Sequence, residues 1–188
     1  MTNSTGLITK HYISSLKRIH RNENRQKGFG GKVKPLGRFV ELMNKWQPST
    51  LLDYGCGKGA ILNHLTTTYP STLCEGYDPA VSEFEKIQNE TYDCVLSVDV
   101  LEHIEPTFLS NVLNHINELA EKYIYLRIDT KPARKKLPNG TNAHLIIESE
   151  KWWTKVLADV IDGKIIYSKL DSKGKLDIAI EKTWQKPK

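Results

Sequence analysis

The sequence predicts an α/β domain built on a doubly wound, mostly parallel sheet, and three observations support this fold class. Short apolar runs typical of buried strands alternate along the chain with segments of helical periodicity. The run at 92–100 is almost continuously apolar, as expected for a parallel strand covered by helices on both faces. The chain has 188 residues, enough for one domain with a full hydrophobic core.

The first 46 residues predict a basic helical extension of this domain, and residues 47–188 its main body. A first helix carries apolar side chains at helical spacing, namely Ile8, Tyr12, Leu16 and Ile19. The polar, glycine-containing stretch 21–35 predicts a loop, and Pro35 stands where a second helix can begin. The apolar face of that second helix consists of Leu36, Phe39, Val40, Met43 and Trp46.

The remaining elements follow in order along the chain. Strands are predicted at 50–54, 72–78, 92–100, 122–129, 164–170 and 175–184, and helices at 60–69, 108–119 and 148–160. The turn sequence DSKG at 171–174 joins the last two strands, so the chain should end in a hairpin that inserts one antiparallel strand at the sheet edge. A long basic loop is predicted at 130–143.

Three glycines between the first strand and its helix indicate a nucleotide site. Gly55, Gly57 and Gly59 would let a nucleotide approach the backbone, but a carboxylate at Asp53 would repel a pyrophosphate. That carboxylate, at the mouth of the loop, suits a ligand with an ammonium and a sulfonium centre, which S-adenosylmethionine carries. Asp78 ends the second strand, where a carboxylate can accept hydrogen bonds from ribose hydroxyls. The structural alternatives are that Asp53 caps the loop and that Asp78 starts a turn.

The segments LLDYGCGKG (51–59), GYD (76–78) and YDCVLSVDVLEHIEP (92–106) resemble the cofactor motifs of class I S-adenosylmethionine-dependent methyltransferases. The resemblance covers residues 36–183 and implies a Rossmann-like sheet of seven strands, the last one antiparallel. The cofactor-binding positions are then Asp53, Gly55, Cys56, Gly57, Gly59, Asp78, Pro79 and Asp99.

The chain is shorter than this family between Asp78 and Tyr92, where a further strand and an adenine-contacting acid usually lie. The shorter segment 79–90 must therefore make the contacts with the adenine, and Glu83 and Phe84 are the candidate contact residues. Such abridged chains are similar to the compact methyltransferases of bacteriophages.

The stretch DVLEH at 99–103 predicts a metal site. Asp99, Glu102 and His103 share one face if the chain turns into a helix there, and His144 could complete a set that binds Mg²⁺ or Mn²⁺. The pattern is similar to metal-dependent O-methyltransferases that act on catechol-like intermediates of ubiquinone synthesis or on the terminal 2′-hydroxyl of small RNAs. These enzymes have Glu where this chain has Asp99. The resemblance implies an ion that binds the acceptor oxygen, and it makes His103 and His144 the candidate catalytic residues. The alternative is the VLEH motif of metal-free methyltransferases, in which Glu102 and His103 pack near the cofactor.

The charge distribution favours an anionic partner. Residues 1–46 carry ten Lys and Arg against two acids, whereas the rest of the chain is net acidic. Together with the loop KPARKK at 131–136, this extension predicts a phosphate-binding rim, although a solvated helix face and a mobile loop would explain the same charges. The predicted function is methyl transfer to an oxygen on an anionic acceptor such as RNA. The alternatives are a small phenol or carboxylate acceptor and a non-catalytic module that binds cofactor or nucleic acid.

Several other classes are disfavoured. No apolar run reaches the roughly 20 residues that span a membrane, and no secretion signal is present. The odd cysteine count predicts free thiols at Cys56, Cys74 and Cys94, and hence a reducing, cytoplasmic location. An Asn/Asp-Pro-Pro-aromatic motif is missing, which disfavours methylation of DNA amino groups, and Cys56 has no basic neighbour to make it a nucleophile.

Overall fold

A computed structural model describes residues 6–20 and 36–183. Its six strands are β1 (Thr50–Tyr54), β2 (Leu73–Tyr77), β3 (Tyr92–Val98), β4 (Ala120–Asp129), β5 (Gly163–Leu170) and β6 (Lys175–Lys182). Its helices are α1 (Lys10–His20), α2 (Gly37–Trp46), α3 (Ala60–Thr68), α4 (Leu109–Leu119) and α5 (Glu150–Val160). Two short 3-10 turns span Leu101–His103 and Pro106–Phe108. The predicted loop 21–35 lies outside the described residues.

The strands form one sheet in the order β2-β1-β3-β4-β6-β5. The first four are parallel to one another, and β6 runs antiparallel to both of its neighbours. The α/β class, the Rossmann-like architecture and the terminal hairpin are thus confirmed. The antiparallel strand does not lie at the edge itself, because β6 inserts between β4 and β5.

The expected seventh strand is absent from the described sheet, so that part of the prediction is wrong. The short segment after β2 folds into turns that use its backbone groups locally: the Asp78 N–H donates to the Phe84 carbonyl at 2.9 Å, and the Phe84 N–H to the Val81 carbonyl at 2.9 Å. As a result β2 is the outermost strand on its side, and the Leu73 side chain is 54% exposed.

Helices cover both faces of the sheet, as the apolar run in β3 predicts. All seven residues of β3 are buried. One apolar cluster joins the sheet to α4 and α5 and includes the fully buried Trp153. A second cluster joins the opposite face to α2 and α3, with Phe39 packed at a tilt on Tyr125. In the described residues no helix has the length and apolar character needed to cross a bilayer, and the three cysteines are free thiols.

A third, smaller cluster attaches α1 to the long loop after β4. Its buried members are Ile8 and Tyr12 from the N-terminal segment and Leu137 and Ala143 from the loop. Because this loop follows a carboxyl end of the sheet, α1 lies at the edge where the parallel strands end.

Candidate active site

The carboxyl ends of four parallel strands bring the predicted site residues to one edge of the sheet. The glycine loop follows β1, Asp78 follows β2, Asp99 follows β3, and Asp129 ends β4. In open α/β sheets this edge is where ligands bind.

The glycine loop is held in a conformation that glycine accommodates best. Gly55, Gly57 and Gly59 have φ values of 81°, 55° and 73°, all in the left-handed region. The N–H groups of Gly55 and Cys56 donate to the Tyr77 carbonyl at 2.7 and 3.1 Å, which ties the loop to the end of β2. A Cβ on Gly55 would lie 2.4 Å from Cγ2 of Val100, so no side chain fits there.

Asp78 organises the loop from the neighbouring strand. Its Oδ2 accepts the Gly57 N–H at 3.0 Å, and its Oδ1 accepts the Ala80 N–H at 2.9 Å. Pro79 lies in the turn that this second bond closes. Asp78 therefore has the turn-forming role that was the structural alternative. The ribose contact stays a prediction.

Asp53 lies beneath the loop and is only 2% exposed, so its carboxylate does not face solvent, and its contact with the cofactor stays a prediction. The reason is that its side chain projects from β1 under the start of α3, where the Leu62 backbone hydrogen-bonds to it. Its Oδ2 is buried and has no hydrogen-bond partner among the described residues. Burial, followed by the nearby charge of Asp78, raises the pKa of Asp53 to about 7. Ionising this group therefore destabilises the folded chain as the pH rises from about 4 to 7, and a cation bound nearby would offset that cost.

Three further loop residues bear on the cofactor site. The Phe84 ring lies 3.1 Å from the position that a Cβ on Gly59 would take and 3.3 Å from that of Gly76, so it packs against the glycine loop. Glu83 beside it is exposed. Burial raises the pKa of the Cys56 thiol, which makes that side chain a poor nucleophile.

Three of the four predicted metal ligands come together. Glu102, His103 and His144 each offer one ligand atom, and these atoms lie within 4.8 Å of one another. The two imidazole rings meet edge to face with centroids 4.8 Å apart. The loop carrying His144 is brought close because the Glu102 carbonyl accepts the N–H groups of Leu145 and Ile146 at 2.7 and 3.0 Å.

The hydrogen bonds of this cluster indicate which nitrogen of each imidazole carries the proton and which oxygen of Glu102 is paired. The Nδ1–H of His103 donates to the Ala143 carbonyl at 2.7 Å, and that of His144 donates to the Lys131 carbonyl. A carbonyl can only accept, so a neutral ring in this position carries its lone pair on Nε2. Glu102 is fully buried; its Oε1 accepts the Asp129 N–H at 3.0 Å, and its Oε2 has no hydrogen-bond partner in the described part of the chain. Burial raises the pKa of Glu102 to about 7.

Asp99, the fourth predicted ligand, is not part of this cluster. Its Oδ1 accepts the ammonium of Lys175 at 3.1 Å, and the same ammonium donates to Oδ2 of Asp129 at 2.8 Å. Lys175 reaches this point because it pairs with Asp129 where the antiparallel β6 meets the end of β4. The backbone of Asp99, with a φ of 54°, turns the chain sharply between β3 and the turn that carries Glu102.

Comparison with known proteins places this geometry in context. A family model described as a methyltransferase domain matches residues 21–171. No curated protein matches the sequence. An O-methyltransferase family protein from Burkholderia thailandensis superposes with a TM-score of 0.66 at 13% identity over 96% of this chain and 64% of that one, so the chain spans less than two thirds of that neighbour.

Two other neighbours were crystallised with ligands. Magnesium protoporphyrin IX methyltransferase from Synechocystis PCC 6803, with bound S-adenosylmethionine, has a TM-score of 0.60 at 16% identity and covers 97% of this chain and 100% of its own. The 1,6-didemethyltoxoflavin-N1-methyltransferase of Burkholderia thailandensis, with S-adenosylhomocysteine, has a TM-score of 0.63 at 14% identity, covering 92% and 89%.

Proposed function

Because the chain belongs to the methyltransferase-domain family, we propose that it transfers a methyl group from S-adenosylmethionine to an oxygen atom of an anionic acceptor. The convergence of Glu102, His103 and His144 at the cofactor edge of the sheet carries this proposal. The proposal includes a reducing, cytoplasmic location for the protein, which the three free cysteines support.

The cofactor assignment is supported by the chemistry beneath the glycine loop. Asp53 has a buried carboxyl oxygen without a hydrogen-bond partner in the described chain, and a positive ligand group nearby would favour its ionised form, whereas a dinucleotide pyrophosphate would oppose it. Asp78 stands at the end of β2, where a carboxylate can accept hydrogen bonds from ribose hydroxyls. The crystallised neighbours that hold S-adenosylmethionine or its product share this fold.

Replacing Asp78 with Asn should weaken S-adenosylmethionine binding about 10- to 100-fold, the loss of a charge-assisted hydrogen bond worth roughly 1.5–3 kcal/mol. The amide retains one oxygen for the Gly57 N–H and loses the acceptor of the Ala80 N–H, a single turn hydrogen bond, so the loop should stay folded. Calorimetric titration measures the change, with Glu83→Gln in the exposed neighbouring turn as the control. Unchanged affinity in Asp78→Asn would place the ribose contact elsewhere.

A divalent cation fits the cluster because Glu102 keeps one buried oxygen without a partner while both imidazoles donate their Nδ1–H to carbonyls. A backbone carbonyl behind the imidazole is the usual support of a metal-ligating histidine. Glu102, His103 and His144 would hold the ion, and the mixed nitrogen and oxygen donors favour Mn²⁺ over Mg²⁺. When bound, such an ion lowers the pKa of an acceptor hydroxyl.

The protein's own residues supply positioning and proton transfer. Methyl transfer is an in-line displacement at an activated carbon, so alignment of acceptor and cofactor provides much of the acceleration. In the neutral Nδ1–H form of His103 and His144, Nε2 of each ring would be the ligand atom for the cation. A ring whose Nε2 does not ligate the cation can instead accept the proton that the acceptor hydroxyl loses. Glu102 is buried against the end of β4, which fixes its carboxylate relative to both rings.

The anionic acceptor is supported by a basic face on α1 and the loop that packs against it. Helix α1 contains no acidic residue. The cations of this basic face are Lys10, Lys17, Arg18, Lys131, Arg134, Lys135 and Lys136. They lie on α1 and on the loop that carries His144, two segments that share one buried apolar cluster, so a phosphate backbone bound there would lie beside the histidines. A second candidate, a small-molecule acceptor, is favoured by the named substrates of the structural neighbours, a porphyrin and a toxoflavin precursor.

The deciding experiment measures S-adenosylhomocysteine formation with short RNAs and with small phenols or carboxylates as acceptors. Activity should vanish in a chelator and return with Mn²⁺. Affinity for an RNA acceptor should fall steeply with salt, whereas affinity for a small neutral acceptor should hardly change. Full activity after exhaustive chelation would end the cation part of the proposal, and no turnover with any acceptor would favour a binding module.

A further inference from the structure

Helix α1 contacts both chain segments that supply the histidine pair. The 3-10 turn at 101–103 carries His103, and the loop after β4 carries His144. We propose that Tyr12 is a positioning residue of the acceptor site: through its hydroxyl it fixes His103, and through its ring it fixes the loop of His144. This inference rests on the function proposed above and adds an N-terminal residue to it.

The hydroxyl contact is direct. Tyr12 is buried, and its Oη donates to the His103 carbonyl at 2.8 Å. This carbonyl belongs to the residue whose imidazole faces His144, so the bond restricts the peptide from which that ring projects. A sequence separation of 91 residues makes the bond a tertiary one.

The start of α1 is held to the same turn by a carboxylate. Thr9 donates its N–H to Oε2 of Glu105 and its hydroxyl to Oε1, both at 2.9 Å. The Thr9 hydroxyl also accepts the Tyr12 N–H at 3.1 Å, which caps the helix. A negative carboxylate at a helix N-terminus is favourable in its own right. Tyr12 is therefore presented to His103 from a fixed helix start.

The ring of Tyr12 packs on the other segment. It shares a buried cluster with Leu137 and Ala143. The Ala143 carbonyl accepts the Nδ1–H of His103, and His144 is the next residue along the chain. One side chain thus contacts the turn with its hydroxyl and the loop with its ring, at the point where the two histidines meet.

The alternative is that α1 only stabilises the fold, and Tyr12→Phe separates the two roles because it keeps the ring and removes one hydroxyl. Leu16→Ala is the matched control, since Leu16 packs in the same cluster and its hydrocarbon side chain makes no hydrogen bond. Imidazole ¹⁵N spectra of the metal-free proteins report the tautomers of His103 and His144. Mn²⁺ titration and S-adenosylmethionine titration report the two binding sites separately.

In Tyr12→Phe we expect the His103 ring to change from the pure Nδ1–H form to a mixture of tautomers. We also expect Mn²⁺ affinity to fall about 5- to 10-fold, with S-adenosylmethionine affinity within about twofold of the parent. Leu16→Ala should lower stability yet leave the tautomer and the Mn²⁺ affinity unchanged. Parent-like spectra in Tyr12→Phe, or equal changes in both variants, would overturn the positioning role. If the parent protein itself binds no Mn²⁺, the proposed cation fails, while the metal-free spectra still decide the role of Tyr12.

Discussion

Methyl transfer by Glu102→Gln is expected to be about 100- to 1,000-fold slower than that of the parent protein at saturating S-adenosylmethionine. Glutamine has the same shape and can still accept the Asp129 N–H, so the turn should remain in place. What the variant lacks is the negative charge on the buried Oε2, which is the group that would bind a cation opposite the two imidazoles. Single-turnover formation of S-adenosylhomocysteine measures the loss.

One control variant and one stability measurement accompany this variant. Glu148→Gln lies in the loop after His144, is exposed, and should keep parental activity. Because burial raises the pKa of Glu102 to about 7, the free energy of unfolding of the parent protein falls as the pH rises from roughly 4.5 to 7. Glu102→Gln should therefore be the more stable protein at pH 8, and its advantage should disappear by about pH 4 in urea unfolding. A variant that loses cofactor affinity and keeps its single-turnover rate would show that Glu102 shapes the cofactor pocket instead.

Gly55→Ala is expected to lower the free energy of unfolding by about 2–5 kcal/mol. A non-glycine residue in the left-handed region costs about 1–2 kcal/mol, and forcing a methyl group into a filled space costs about 1–3 kcal/mol. The added Cβ would lie 2.4 Å from a branched carbon of Val100, whose side chain has few alternative rotamers. Cofactor affinity should fall as well, since the loop must move away from Tyr77 to relieve the overlap.

The chain offers a matched control for each component of this effect. Gly140 has a φ of 86° with no atom within 4 Å of an added Cβ, so Gly140→Ala isolates the backbone cost. Adding Val100→Ala to Gly55→Ala removes the overlap and should recover part of the stability and of the cofactor affinity. Equal unfolding free energies for Gly55→Ala and Gly140→Ala would show that the loop yields to the methyl group without cost.

Local patterns predicted most of the elements, since periodicity and turn residues act within a few positions of the chain. The glycine loop and the proximity of Glu102, His103 and His144 could also be predicted from the sequence, because the carboxyl ends of parallel strands lie at one edge of the sheet. The contact between Asp99 and Lys175 could not be predicted, because Lys175 belongs to a hairpin far along the chain and only the register of β6 on β4 brings it to Asp99. The contact between Tyr12 and His103 carries no sequence signal either: a tyrosine at a helical apolar position indicates only a buried face.

The missing seventh strand has a consequence for association between molecules. The outer edge of a sheet presents backbone donors and acceptors to any extended segment that meets it, and it is a common starting point for aggregation. On the side of the missing strand that edge is β2, which has only five residues. The carboxylate of Glu75 lies in mid-strand, where it accepts the Asn89 amide at 2.9 Å and adds negative charge to the rim. A short edge strand that carries a charge discourages a second copy of the protein from pairing its own strand there. The sheet therefore resists edge-to-edge association even though no seventh strand covers β2.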